Sequence, residues 1–290
     1  MNFGESHDLF TPESYRSILE MMRQEDNQEL QHAGLQKLSE TLLLGNVRSL
    51  STFPVYEMSV AMVHFLGCGS PYLESISARC IYNFLEAHNS STRALIDNGV
   101  LNAIKKVLMK NDIDEETMEF IFRSLKSLSK YQSTDIENEV GINLCVKVLG
   151  NAPLKIQKII AYFLQLITSK IFENSFISSL TSLAWHITKI IDNDIFGILV
   201  SVLYNIGTKA STKLIPRDFI KPLYQLILLS NNSSSLVMLT ELLRIGSFKC
   251  VDEIINYVDF KKLFSKKIDF KIKNNLFLTL VNILPAPNMV

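Results

Sequence analysis

Apolar residues recur along the chain at intervals of three and four positions. These intervals place side chains on one side of an α-helix, so the pattern predicts amphipathic helices that bury one face. Short polar segments rich in Gly, Pro and Asn separate the stripes and predict the helix ends. The two clearest stripes are Leu101, Ile104, Val107 and Leu108, and then Ile121, Leu125 and Leu128. The clearest breaks are Cys68–Pro71, Asp97–Gly99, Lys110–Asp112, Gly150–Pro153 and Ser230–Asn232.

One short motif repeats along the chain. Ile81-Tyr82-Asn83-Phe84 is nearly copied at Leu203-Tyr204-Asn205-Ile206, and weaker copies lie before, between and after the two. The leading residue falls at positions 38, 81, 125, 164, 203, 242 and 280, which gives steps of 43, 44, 39, 39, 39 and 38 residues. A period near 40 residues is typical of armadillo and HEAT units. We therefore predict an all-α protein, a right-handed α-solenoid of about six or seven armadillo/HEAT-like repeats.

We place the repeat domain at residues 15–287. An acidic N-terminal tail occupies residues 1–14, and residues 288–290 form the C-terminal end. Apolar runs such as Ile198–Leu203 leave an α/β fold as an alternative, because a short apolar run does not distinguish a buried strand from a buried helix. We interpret that run as the buried face of a repeat helix.

Composition narrows the class of partner. The 29 basic residues equal the 29 acidic ones, so no net field favours nucleic acid or an anionic membrane. No apolar stretch is long enough to span a bilayer. The four cysteines are scattered and the first 30 residues have no apolar core, which favours a cytoplasmic or nuclear protein over a secreted one. We expect no cofactor and no metal.

Three further segments occur in order along the chain. The first is Leu42–Asn46 with Ser49-Leu50 and Phe53-Pro54-Val55, the second is Ala78–Ile81 continuing to Glu86-Ala87, and the third is Leu280–Pro287. Together they resemble the armadillo-like N-terminal region of HECT-type ubiquitin ligases of the ubiquitin-fusion-degradation class (thyroid-receptor-interacting-protein type). The resemblance covers residues 15 to 287. It implies a recognition solenoid that binds degradation substrates, with ubiquitin or proteasome subunits as further candidate partners.

The resemblance does not extend to ubiquitin-transfer chemistry. In that family a HECT catalytic domain with an acceptor cysteine follows the helical region, and this chain ends at Val290. The last cysteine, Cys250, lacks the Thr-Cys context that such ligases use. We therefore expect no catalytic residue in this chain. A transport or scaffold armadillo protein unrelated to ubiquitin is the alternative, and a hydrolase ranks third.

His64, Cys68, Cys80 and His88 raise the question of a zinc site. Structural zinc sites take paired ligands two to four residues apart in tight loops, and this spacing does not match. Cys80 also occupies an alanine-like position of a repeat helix, where we expect a buried thiol. The histidines lie in no recognisable catalytic motif.

The repeated asparagines suggest where a partner could bind. The last helix of each repeat lines a concave groove, where an amide can pair with the backbone of an extended peptide and an Arg with acidic groups. Arg79 and Arg123 lie four residues before Asn83 and Ser127, on the same helical face. An equally open alternative is that these side chains tie adjacent repeats together. The predicted groove residues are Arg79, Asn83, Arg123, Ser127, Asn205, Arg244 and Asn282.

Charge is uneven along the chain. Residues 1–30 contain seven acidic side chains against two arginines, whereas residues 261–273 contain six lysines against Asp269. Lysines on the outside of a terminal repeat ordinarily face solvent. The functional alternative is that they bind an acidic patch on a partner.

Overall fold

The computed structural model describes residues 10–46, 48–88, 90–172, 174–190, 192–209, 216–229, 236–237, 239–240 and 254–283. Every regular element in these ranges is a helix, and no strand occurs in them. The helical prediction is therefore confirmed, and the α/β alternative is wrong. The run Ile198–Leu203 lies inside a single α-helix.

Within the described ranges, successive helices are joined by short connections. The first eight are α1 (Pro12–Met22), α2 (Gln28–Leu44), α3 (Val55–Leu66), α4 (Pro71–Ala87), α5 (Ser91–Asp97), α6 (Val100–Leu108), α7 (Glu115–Leu128) and α8 (Ser133–Glu139). Then come α9 (Ile142–Asn151), α10 (Leu154–Lys170), a 3-10 helix (Asn174–Ser179), α11 (Leu180–Ile187), α12 (Asn193–Lys209), a 3-10 helix (Arg217–Phe219), α13 (Ile220–Leu229), α14 (Phe260–Ser265) and α15 (Phe270–Ile283). The long helices α7, α10 and α12 each follow two shorter helical segments, whereas α2 and α4 each follow one shorter helix.

The long helices α2, α4, α7, α10, α12 and α15 carry the repeat register. We call the leading residue of each motif copy the marker residue. The markers in these helices are Leu38, Ile81, Leu125, Leu164, Leu203 and Leu280, and all of them are buried. Leu242 lies outside the described residues. The repeat assignment is confirmed at every marker that the structure describes.

Local chemistry explains where the helices begin. Thr11, Asn27 and Asp114 precede α1, α2 and α7, and each side-chain oxygen accepts a backbone N–H from the first turn at 2.8–3.1 Å. Such caps stabilise a helix by about 1 kcal/mol each. Gly99 separates α5 from α6 with a φ of +81°, a backbone conformation that favours glycine.

The chain divides into two compact units. The first comprises Met1–Leu144 with Ala152–Phe163, and the second comprises Cys145–Asn151 with Leu164–Val290. In the first unit α2 packs against α1 and α4, and α4 packs against α3 and α7. An aromatic chain runs through this core, with ring centroids 5.2 Å apart for Tyr15 and Phe53 and 5.4 Å apart for Phe53 and Phe84.

The second unit has its own core around α11, which packs against α12 and α13. Phe176 and Phe219, from the two 3-10 helices, are fully buried there. His186 of α11 lies so close to Gly150 that a Cβ at position 150 would come within 2.2 Å of its ring. Each unit therefore has an apolar interior of its own.

Candidate peptide-binding face

Partly exposed side chains on α4, α7 and the first part of α10 contact one another from helix to helix. We call this set the long-helix face. Its residues recur at spacings of three, four and seven along the helices, which keeps them on one side of each helix. The face consists of Arg79 and Tyr82 on α4, Glu116, Glu119, Phe120, Arg123 and Lys126 on α7, and Lys155 and Tyr162 on α10.

Arg79 reaches from α4 to α7. Its guanidinium forms an ion pair with Glu116, and its central carbon lies 5.5 Å from the ring centroid of Phe120. The side chain keeps 41% of its surface exposed. Arg79 therefore contacts the next repeat and still presents charge to solvent.

Arg123 makes the reciprocal contact from α7 to α4. Its guanidinium carbon lies 5.7 Å from the centroid of Tyr82, and the rings of Tyr82 and Phe120 are 5.7 Å apart. One Nη of Arg123 lies 2.7 Å from a carboxylate oxygen of Glu119. Two arginines and two aromatic rings thus alternate across the two helices, and cation–π contacts of this kind contribute about 0.5–1 kcal/mol at exposed sites.

Glu119 joins α7 to α10 as well. The Lys155 ammonium lies 2.6 Å from its second carboxylate oxygen. That hydrogen bond is the largest influence on the pKa of Glu119, and it lowers the pKa. Burial raises the pKa and the charge of Arg123 lowers it, so that the pKa of Glu119 lies below its usual value. Burial also opposes the charge of Arg123, but Tyr82 and Glu119 together raise its pKa. Both groups are charged at neutral pH.

Lys126 adds a cation to the face without a carboxylate. Its ammonium nitrogen lies 5.9 Å from the ring centroid of Tyr162, and in the described part of the chain it pairs with no acidic side chain. The side chain of Tyr162 is itself 42% exposed. The face therefore carries four cations against Glu116 and Glu119.

Asn83 does not lie open on this face. It is 9% exposed, and its amide nitrogen donates to the backbone oxygen and the hydroxyl of Ser39, at 3.3 and 3.1 Å. Ser127 is partly exposed and donates to Glu86 at 2.7 Å. Both contacts join one long helix to the preceding one, so they fit the alternative in which these side chains tie repeats together.

The remaining predicted groove residues lie in the second unit. The amide nitrogen of Asn205 is 3.5 Å from the hydroxyl of Thr168, and the ammonium of Lys209 donates to the Thr168 carbonyl at 3.0 Å. Asn282 is exposed on α15. Arg244 lies outside the described residues. The structure thus gathers Arg79 and Arg123 on one surface, and groove binding by the full predicted set stays a prediction.

The aromatic and acidic members of the face were not predicted from the sequence. A signal for them existed in the repeat register. Two positions before the marker stand Arg79, Arg123 and Tyr162, and one position after it stand Tyr82 and Lys126. At these two equivalent positions of successive repeats, arginines and a lysine alternate with aromatic residues, a pattern that predicts cations beside aromatic rings.

A concavity lies among α1, α2 and α3 in the first unit. It encloses about 520 Å³ and is lined by Met22, Tyr56, Val60 and His64, among others. Gln31 also lines it and is only 7% exposed. The concavity is lined by charged residues of both signs, so its charge favours neither an acidic nor a basic ligand.

The cysteines and histidines of the described ranges form no cluster of three or more groups that could hold a metal ion, counted together with Asp and Glu. Cys80 is fully buried, as its alanine-like position predicts, and burial raises the pKa of its thiol. Cys68 is exposed, and Cys250 lies outside the described residues. None of the helices that the structure describes is long and apolar enough to cross a membrane.

Solved structures with a similar fold include a designed armadillo repeat protein. A computationally designed armadillo repeat protein for modular peptide recognition matches with a TM-score of 0.56 and 15% identity, over 92% of this chain and 99% of that one. An engineered protein matches with a TM-score of 0.60 and 17% identity, over 93% and 68% of the two chains. A structure from work on the phosphorylation-controlled interaction of cadherin with beta-catenin matches with a TM-score of 0.64 and 10% identity, over 94% and 53%.

These similarities show the fold. The chain is an α-solenoid of armadillo-like helical repeats, as the period of about 40 residues predicts. No family model and no curated protein matches the sequence. None of these three similar structures links the chain to a HECT-type ligase.

Proposed function

We propose that this protein is a recognition solenoid that binds extended, acidic segments of partner proteins on its long-helix face. The observation that carries the proposal is the alternation of Arg79 and Arg123 with Tyr82 and Phe120 across successive helices. Stacking holds each guanidinium in place before a partner arrives. Binding then loses less side-chain entropy than it would with free arginines.

The charges of the face favour an acidic partner. Guanidinium groups pair with carboxylates through two parallel hydrogen bonds, and both arginines remain about two-fifths exposed. In the free protein, Glu116 pairs with Arg79 and Glu119 pairs with Arg123. A partner carboxylate would compete with these two residues, while Lys126 offers a cation that has no internal carboxylate to displace.

The similar structures support peptide or protein recognition as the class of function, and they support no finer role. One of them is a designed protein for modular peptide recognition, and extended peptides are ligands that long rows of helices can hold. The proposal of degradation substrates for a HECT-type ligase rests on the three resembling segments alone. Ubiquitin is therefore a candidate ligand to include in the binding experiment.

The proposal is tested with an octapeptide of alternating Glu and Ser that carries fluorescein on its N-terminal amine and an amide at its C-terminus. Fluorescence anisotropy should show saturable binding to the wild-type chain. Because an Arg anchor contributes roughly 1–3 kcal/mol, replacing Arg79 and Arg123 together by Ala should weaken binding about tenfold or more. The melting temperature of each variant is measured in parallel, since both arginines also contact neighbouring repeats.

The matched control replaces Arg16 and Arg93 by Ala. Both are exposed arginines on other helices, so this variant loses the same charge without touching the face. Its affinity should stay within about twofold of the wild type. Equal weakening of both double variants would indicate unspecific charge attraction and would overturn the proposal. An octapeptide of alternating Lys and Ser should not bind.

A further inference from the structure

The concavity among α1, α2 and α3 contains a polar side chain that the fold leaves unpaired. Gln31 of α2 lines it and is 7% exposed. Its backbone N–H donates to the Asn27 carbonyl at 3.0 Å, but its side-chain amide makes no hydrogen bond to any residue that the structure describes. A buried amide without partners destabilises a folded chain, so packing alone does not account for a glutamine at this position.

Two other long helices show how the chain pairs a polar residue at the equivalent position. Glu74 of α4 and Gln157 of α10 stand seven positions before their markers, as Gln31 does. Glu74 accepts the backbone N–H of Gly69 at 2.9 Å. Gln157 donates to the carbonyl of Ala152, also at 2.9 Å. Each of these partners stands five residues earlier, in the connection before the helix, and Gln31 has no such bond in the described part of the chain.

The amide of Gln31 opens into the concavity. Within the described residues, only Arg79, Arg123 and Ser124 have side-chain polar atoms that are both unpaired and completely enclosed. The unpaired amide of Gln31 therefore keeps a small accessible surface. Because Gln31 lines the concavity, a molecule bound there can reach this surface.

The concavity has the size and the apolar walls of a site for a small organic molecule. It encloses about 520 Å³, and ligand pockets commonly measure about 300–1,000 Å³. Met22 and Phe65 line it and are almost fully buried. Tyr56 and Val60 of α3 line it too and are 63% and 42% exposed. An apolar ligand would therefore cover apolar surface that the described chain leaves open.

The charges around the concavity favour a ligand without net charge. Arg23 and His64 line it together with Glu25 and Glu57. A carboxylate would be repelled by the two glutamates, and an ammonium group would be repelled by Arg23. A neutral ligand avoids both repulsions.

The side chain of Gln31 specifies the polar group of the ligand. A glutamine amide presents an acceptor oxygen and a donor NH₂ group side by side. A carboxamide or lactam presents the same two groups in the reverse order, so it can form two parallel hydrogen bonds with Gln31. A carboxylate or an ether has no donor for the glutamine oxygen. A ligand that displaces water from such a side chain gains affinity only when it replaces both hydrogen bonds.

We propose that the concavity among α1, α2 and α3 binds a neutral small molecule that has an apolar body and one carboxamide or lactam group. That group pairs with Gln31, and the apolar body packs against Met22, Val60 and Phe65. The site uses none of the residues of the long-helix face, so it does not depend on peptide binding there.

The position and charge of the first residues of this chain make them a poor match to the concavity. The chain enters α1 at Pro12, which lies about 15 Å along this helix from Met22. Residues 1–9 also contain Glu5 and Asp8, whose charges would meet the glutamates of the concavity. A separate neutral molecule fits the site better on both counts.

The probe for this site is 2-naphthamide, an uncharged aromatic molecule with one primary carboxamide. Ligand-detected NMR titration should show saturable binding to the full chain. The compound N,N-dimethyl-2-naphthamide keeps the ring and the carbonyl but lacks both N–H donors, and 2-naphthoate is an anion. Each of these two should bind about tenfold more weakly than 2-naphthamide, because a hydrogen bond to Gln31 is lost.

Gln31→Leu removes the amide and keeps a side chain of similar size. It should weaken 2-naphthamide binding about tenfold and bring the two naphthamides within about twofold of each other. Its melting temperature should not fall, because the amide has no partner in the described chain. Gln36→Leu is the matched control, since Gln36 is exposed on the same helix and does not line the concavity. This variant should keep the wild-type difference between the two naphthamides.

Val60→Asp tests the apolar wall independently of Gln31. Val60 is exposed enough for the fold to tolerate the change, and a charge there should weaken both naphthamides about tenfold. The Arg79→Ala, Arg123→Ala double variant should keep full affinity for 2-naphthamide, which separates this site from the long-helix face.

Five results would overturn the proposal. Three of them are an absence of saturable binding, equal affinity for the two naphthamides, and equal effects of Gln31→Leu and Gln36→Leu. Stronger 2-naphthamide binding to a Phe3→Asp variant would identify the first residues of the chain as the occupant. Tighter binding of an acetylated and amidated Leu-Gln-Leu tripeptide than of 2-naphthamide would identify a protein segment instead.

Discussion

Arg79 and Arg123 show how one side chain serves two purposes. Each stacks on an aromatic ring of a neighbouring repeat and pairs with a glutamate, which stabilises the contact between repeats. Each also keeps about two-fifths of its surface in solvent. An exposed ion pair contributes about 0.2–1 kcal/mol, so these arginines do not hold the fold together alone. Their larger effect is to fix cations on an accessible surface.

Three histidines make the stability of the chain depend on pH. Burial lowers the pKa of His32, His88 and His186, and positive charge from Arg79 and Lys189 lowers it further for His32 and His186. Below the ordinary value of 6.5, the unfolded chain therefore binds more protons than the folded chain. The contribution of these histidines to stability is complete well above pH 6.5 and falls as the pH drops through 6.5 toward their lowered pKa values.

We expect the melting temperature to decrease between pH 7 and pH 5. His186 packs closely on Gly150, so protonation there also charges a group in tight contact with the backbone. Replacing His32, His88 and His186 together by Gln should flatten the profile between pH 7 and pH 5. A variant as sensitive to pH as the wild type would show that other groups are responsible.

At the scale of elements, the sequence predicts the helices and their buried faces well. The stripe Leu101–Leu108 forms α6 and lies in the core, and the predicted breaks at Cys68–Pro71 and Lys110–Asp112 separate helices as expected. The contact between α1 and α2 was not predicted. It depends on the missing side chain of Gly34, and the sequence alone does not show that α1 packs against this position.

Gly34→Ala should destabilise the protein, although Ala normally favours a helix over Gly. A Cβ at Gly34 would come within 2.9 Å of Met22 Cγ and 3.2 Å of the Ile18 carbonyl oxygen on α1. Such overpacking costs about 1–3 kcal/mol, measured as the free energy of unfolding in urea.

Gly197→Ala in α12 is the control for this prediction. Nothing lies within 4 Å of a Cβ built at Gly197, so only the helix preference of Ala acts there. That variant should gain about 0.5–1 kcal/mol. If both variants were stabilised, α1 would not pack on α2 as the structure shows.

For the whole molecule, the repeat period established the fold from sequence alone. Motif copies 38 to 44 residues apart place equivalent markers in successive long helices. The binding surface could not be predicted in the same way. Phe120 and Arg79 are 41 positions apart, and their contact exists only because α4 and α7 lie side by side. Asn83 stood out as a motif residue, yet its amide is bound to Ser39.

The central claim is that the long-helix face binds acidic segments through Arg79 and Arg123. Glu116 and Glu119 are the internal competitors of such a ligand, so neutralising them should free both guanidinium groups. Calorimetric titration of the Glu–Ser octapeptide into a Glu116→Gln, Glu119→Gln variant tests this directly. The account predicts affinity about threefold to tenfold higher than that of the wild type, because the variant loses the ion pair of Arg79 with Glu116 and those of Arg123 and Lys155 with Glu119. Unchanged or weaker binding would contradict it.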